Sequence, residues 1–140
     1  LRERYGIAGQ PRFGYGENGK PYLMDHPQIH FNLSHCRKGV ACAMGDSPVG
    51  CDIEAIPGCL DPDLMEACFS VGEQEEILLA DDPRVAFARL WTRKEALLKL
   101  HGIGLVDSLP TLLTSPLASG VSFQTKVHGQ DGFAYTTCTR

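Results

Sequence analysis

The 140-residue sequence has no apolar run near the ~20 residues that a membrane-crossing helix requires, so no membrane partner is expected. Nor does a basic segment followed by an apolar stretch open the chain, and a cytoplasmic location is the expectation. Net positive charge is lacking as well: the formal charge is -4, which leaves no electrostatic footprint for general nucleic-acid binding. Six cysteines are present, yet no two are spaced C-x-x-C and several lie in apolar segments. Neither a zinc site nor a disulfide framework is supported, and the thiols are expected to be reduced and mostly packed. Internal repeats and low-complexity tracts are absent. What remains, 43% hydrophobic and 21% charged residues, suits one compact unit with one core, residues 1–140. The chain opens on Leu1 instead of methionine, so terminal processing or a longer parent protein is expected.

The first twenty residues hold five glycines and no sustained period, and read as irregular, with a turn at "ENGKP". Ile29, Phe31 and Leu33 then alternate with His30 and Asn32, the pattern of a half-buried strand. Two further apolar runs, Val40 to Met44 and Val49 to Glu54, flank the turn signal "GDSP", which predicts a hairpin over 40–54. Helix signals follow. Asp61-Pro62 and Asp82-Pro83 are cap-plus-proline starts, and Ser70 with Glu73 forms a capping box. A long helix is predicted from about Arg84 to Leu100, stopped by Gly102, with Arg84, Arg89, Arg93 and Lys94 giving it a basic exposed side. "LPTLLTSP" reads as a proline-bounded loop. Val121 to Val127 and Phe133 to Thr139 around "HGQDG" predict a closing hairpin.

Strand alternation places Gly50, Asp52 and Glu54 on one face, opposite Val49, Cys51 and Ile53. Two carboxylates on one face repel each other, and are comfortable in water or around a cation; oxygen-only ligands of this kind suit magnesium. A solvent-facing acidic strand end is the commoner reading of so short a pattern taken alone. On the long helix, Trp91, Glu95 and Lys99 follow one another at i, i+4 spacing. The tryptophan turns that face toward the body of the protein and sets Glu95 and Lys99 at a groove's edge, although an ordinary helix-surface pair has the same spacing. Ser34 and His35 stand where a strand runs into a turn, a place where loops present binding groups. Lys20, next to a proline in a glycine turn, is either a phosphate contact or a solvated lysine.

Taken in order, "NGKP" (18–21), "FNLSH" (31–35), "VGCDIE" (49–54), "FSVGE" (69–73) and "WTRKEALLKLHGIGL" (91–105) resemble the 4'-phosphopantetheinyl transferases of the Sfp type. The resemblance implies an α+β fold, a mainly antiparallel sheet with packed helices. It implies transfer of the phosphopantetheine arm of coenzyme A to a serine of an acyl or peptidyl carrier protein, with Mg2+ as cofactor and adenosine 3',5'-bisphosphate as the product released. Carried over residue by residue, it makes Asp52, Glu54 and Glu95 the magnesium ligands, Glu54 through a water. Glu95 becomes the base for the carrier serine and Lys99 the contact to the pyrophosphate, while Lys20, Ser34 and His35 hold coenzyme A. Such chemistry requires in-line positioning plus a cation and a lysine to neutralise charge. The family's two-subdomain architecture is expected to lack about its first third here. A homo-oligomer is the other way to supply that wall, and a module that binds coenzyme A or a carrier protein without catalysis is the alternative reading.

Overall fold

The computed structural model describes residues 1–140. The architecture is α+β, with antiparallel strand pairs and one long helix at its centre. A short helix α1 (Arg2–Tyr5) precedes a small ribbon of β1 (Phe13–Tyr15) and β2 (Pro21–Leu23), so the glycine-rich start is more ordered than its lack of period predicts. Its strands are only three residues each, too short to leave a period.

The next pair is β3 (His30–Cys36) with β4 (Gly39–Gly45), joined by the tight turn Arg37-Lys38 in the register Cys36↔Gly39. This corrects the hairpin expected over 40–54. β5 (Val49–Ala55) leaves β4 at Asp46-Ser47-Pro48 and instead pairs with the last strand, β7 (Phe133–Thr139), which also pairs with β6 (Ser122–His128) in the order β5-β7-β6. The closing hairpin β6–β7 forms as expected.

β5 is nearly all buried, because both of its faces and its second edge are covered. The edge turned away from β7 meets β3, where no backbone ladder forms. Side chains take its place: Asn32 Oδ1 accepts the Cys51 amide at 2.7 Å and Ser34 Oγ accepts the Ile53 amide at 3.3 Å. The buried face of β3 is therefore its polar one at this end, with Ser34 6% exposed and Leu33 49% exposed, the reverse of what the apolar alternation predicts. An orphaned buried amide costs about 1–3 kcal/mol, which is what a serine and an asparagine here avoid.

Helices α2 (Pro62–Cys68), α3 (Val71–Leu79) and α4 (Pro83–His101) start as the sequence signals predict. Asp61 and Asp82 accept first-turn amides, Ser70 and Glu73 close both bonds of a capping box, and Gly102 ends α4 at φ +66°. The expected loop after α4 is wound into two 3-10 turns, Leu109–Thr114 and Pro116–Ala118. α4 crosses the Gly50–Asp52–Glu54 face of β5 and packs its other side on α3 and the 3-10 turns, in a core shared with α2 that includes Phe69, Ile77, Phe87, Leu97 and Leu112. A smaller apolar cluster of Leu23, Ile29 and Phe31 lies under the β1–β2 ribbon.

Enclosure on both sides corrects the basic exposed face expected of α4. Arg84 and Arg89 are exposed and Arg93 is half-buried, whereas Lys94 is 0% exposed. Its ammonium lies over the Phe69 ring, 5.2 Å from the ring centre, and bonds Glu73 at 2.8 Å and the Leu109 carbonyl at 2.6 Å. All six cysteines are free thiols, but only Cys51, Cys68 and Cys138 are packed inside. No helix is long and apolar enough to cross a membrane.

Candidate active site

Gly50 makes the site possible by letting α4 lie against β5. The Ala96 carbonyl and Leu100 amide occupy the space above its α-carbon where any side chain would sit. This close approach of helix backbone to strand is a recognised use of glycine in a strand interior. The next residues on that strand face, Asp52 and Glu54, are thereby placed under Glu95 and Lys99 of α4. Asp52 is 1% exposed, which excludes the solvent-facing acidic strand end.

Three side chains close a hydrogen-bonded triangle at this seam. Lys99 Nζ donates to Asp52 Oδ1 at 2.6 Å and to Ser34 Oγ at 2.9 Å, and Ser34 Oγ donates to the same Asp52 oxygen at 2.8 Å. With the Ile53 amide also on its oxygen, the serine hydroxyl is fully engaged. The second Asp52 oxygen, Oδ2, is buried without any partner.

Glu54 and Glu95 border the triangle. Burial, then the negative charges of Asp52 and Glu95, raise Glu54 above the usual carboxylate range; Lys99 and the Trp91 indole act against this. Glu95 is raised by burial first and by Asp52 second, with Lys99 opposing. Trp91 is half-buried, stacked on Phe87 one turn earlier in α4 and 6.3 Å from the Phe69 ring outside the helix, so it holds this helix face against the core. A general base gains from a pKa moved toward neutrality, and Glu95 is moved in that direction.

Lys20 lies apart from the triangle. Its ammonium caps the end of α4, donating to the carbonyls of Lys99 at 2.6 Å, Leu100 at 3.1 Å and Val49 at 3.2 Å, and burial holds it below the usual lysine range. Asn18 bonds the Gly102 carbonyl beside it, so the "ENGKP" turn is clamped to the helix C-terminus. Two adjoining hollows of about 420 and 190 Å³ open here, both lined by Lys20 and Gly102, the larger also by His30 and His101 and the smaller by Asn32 and Lys99. His35 is exposed on the opposite face of β3 from Ser34, and the structure does not bring it to the cluster.

The donor set can be tested for a divalent cation. No three acidic, histidine or cysteine side chains converge into a ready cage. Magnesium, however, commonly uses one or two carboxylates and completes its shell with water and substrate phosphate. An orphaned, buried Asp52 oxygen beside two carboxyls that burial, and then the charge of Asp52, hold above the usual range is chemically suited to that ion. The residues fit.

Sequence reasoning missed Asn32, which aligns β3 on β5, and the buried Lys94–Glu73 pair. Asn32 carried a signal in its two-residue spacing from Ser34. Lys94 carried none, since a lysine between Arg93 and Glu95 looks solvated until the 3-10 turns are seen to cover it.

The model of the 4'-phosphopantetheinyl transferase superfamily matches residues 48–138, the stretch that contains β5, α2 to α4 and the closing hairpin. A 4'-phosphopantetheinyl transferase of Bacillus subtilis is 39% identical over 101 residues, 70% of this chain and 43% of the relative. The AcpT transferase of Salmonella typhi is 40% identical over 120 residues, covering 83% of this chain and 62% of the relative. Sfp of Bacillus subtilis strain 168 is 36% identical over 123 residues, 86% of this chain and 49% of the relative. The chain belongs to the 4'-phosphopantetheinyl transferase superfamily. It spans about half the length of the curated relatives it matches.

Proposed function

We propose that this chain carries the transfer chemistry of a phosphopantetheinyl transferase, moving the 4'-phosphopantetheine arm of coenzyme A to a serine of an acyl or peptidyl carrier protein. The observation that supports it most is the junction of Asp52, Glu54, Glu95 and Lys99 at one helix–strand seam, from segments more than forty residues apart. In the reaction the carrier serine oxygen forms a bond to the phosphorus nearer the pantetheine, and the bond from that phosphorus to the bridging oxygen breaks. Adenosine 3',5'-bisphosphate leaves with the electron pair, and the serine proton passes to the Glu95 carboxylate.

Asp52, Glu54 and Glu95 would hold Mg2+, which when bound neutralises charge on the pyrophosphate. Lys99 supplies a second positive charge toward the same phosphates. Ser34 orients Lys99 and Asp52. Lys20 and His35 serve coenzyme A from outside the cluster, Lys20 as a wall of both hollows and His35 as an exposed group for an outlying phosphate.

The test is the intact mass of an apo carrier protein after incubation with the chain, coenzyme A and Mg2+, beside an EDTA control. A Mg2+-dependent gain of one phosphopantetheine arm, lost in Glu95→Gln and Asp52→Asn variants that remain folded, is the expected result. Binding of coenzyme A with no mass gain on several carriers makes the non-catalytic module the correct reading.

A further inference from the structure

The Lys99 ammonium sits on the very carboxylate that the proposed cation would need. Its side chain is 29% exposed and that of Asp52 only 2%, so the ion pair lies at the mouth of the seam with its acidic half inside. Ser34 fixes the ammonium as well as the acid, holding the pair in one geometry. Asp52 Oδ2 has no partner, so the ammonium satisfies only half of the carboxylate, and a divalent cation taking Oδ2 meets the like charge of Lys99 on the other oxygen of the same group.

We infer that Lys99 is a built-in occupant of the cation seat, an interlock that a divalent cation must displace from Asp52 before the lysine is free to engage phosphate. The inference rests on the cation reading given above and adds an exchange to it. A cation arriving alone must break the Lys99–Asp52 pair, and so must a pyrophosphate arriving alone. Whichever binds first relieves the other of that cost. By linkage the coupling is reciprocal: each ligand raises the affinity of the other by the same factor. In the unliganded chain the same pair keeps Asp52 from standing as an uncompensated buried charge. Lys99 is on this account a positioning residue in the resting protein.

The experiment uses the whole chain and the cation alone. In a spectrum of lysine side-chain ammonium groups, the hydrogen-bonded Lys99 signal is assigned by its loss in Lys99→Met, and Mg2+ is titrated into the wild-type protein. The expected result is loss or displacement of the Lys99 signal with the same midpoint as Mg2+ binding by calorimetry. The signal of Lys94, bonded to Glu73 away from the seam, stays fixed. In parallel, Mn2+ affinity rises about 5- to 150-fold in Lys99→Met, the usual span of a coupling between sites. It stays near wild type in Lys99→Arg, which keeps the pair, and in Lys126→Met, which removes an exposed charge elsewhere. A Lys99 signal unchanged at saturating Mg2+, or equal Mn2+ affinity in wild type and Lys99→Met, overturns the interlock and leaves the cation site standing. No binding of either cation to wild type or to Lys99→Met removes the cation site itself, and the interlock with it.

Discussion

Gly50 of β5 lies so close beneath α4 that a methyl group on it would collide with the Ala96 carbonyl and come within 2.7 Å of the Leu100 amide. Both obstacles are backbone, so neither can swing aside. Gly50→Ala must push α4 off the sheet or fail to fold, and a loss of about 3 kcal/mol or more is expected in urea unfolding. Because Glu95 and Lys99 ride on α4 and Asp52 on β5, any folded remainder is also expected to lose the proposed transfer activity.

The buried Lys94–Glu73 pair ties α4 to the start of α3. Removing one partner strands the other charge, and Lys94→Met is expected to cost about 3–5 kcal/mol. Adding Glu73→Leu should restore much of this, since an apolar pair of similar volume is often tolerated in place of buried ions. Recovery falls short by roughly 1 kcal/mol, because Glu73 also accepts the Ser70 amide in the capping box. A double-mutant cycle in urea measures the coupling; additive losses remove this account of Lys94.

These two features mark where sequence reading stops. Caps, helix starts and the closing hairpin were legible because each is a local signal: Asp61-Pro62, Ser70 with Glu73, Gly102, and the turn at 128–132. Asp52, Glu54, Glu95 and Lys99 were legible as a set only through the order of motifs, since nothing in either segment alone says which strand face the helix covers. The partner of β5 was not legible: β7 lies about eighty residues away in sequence, and the nearer β4 offered an equally good apolar run. Burial of Lys94 and exposure of Leu33 depend on which neighbour arrives, which local periodicity does not encode.

Glu54 is held above the usual carboxylate range by burial and by its acidic neighbours, so its charge opposes folding of the metal-free chain. Glu54→Gln keeps shape and removes the charge. In EDTA this variant is expected to melt at a higher temperature than wild type, by an amount that solvent screening at this half-buried position keeps small. Its Mg2+-dependent stabilisation should shrink in the same experiment, a trade of function against stability common at sites of clustered charge. An unchanged melting temperature in EDTA, with Mg2+ stabilisation intact, places Glu54 outside the site.

Cys138 gives the clearest pH signature away from Asp52, Glu54 and Glu95. It is 1% exposed on β7, and burial pushes its thiol from 9.0 up to about 11, against the opposing pull of the Gly50 amide and the Lys20 ammonium. The folded state therefore keeps its proton over a range in which the unfolded chain releases it. The stabilisation is fully present below about pH 9 and is lost as pH rises from there to about 11, by roughly 2–3 kcal/mol at ~1.4 kcal/mol per unit. Burial raises the Cys51 and Cys68 thiols as well, so the comparison must be with Cys138→Ala. That variant loses a packed sulfur and is less stable at neutral pH, but the gap to wild type should close between pH 9 and 11. A parallel pair of stability curves would mean that the thiol is not desolvated. Alkylation provides a second check: at pH 8 the exposed Cys42 and Cys59 should react quickly in the native protein, while Cys138 reacts only as fast as the chain unfolds.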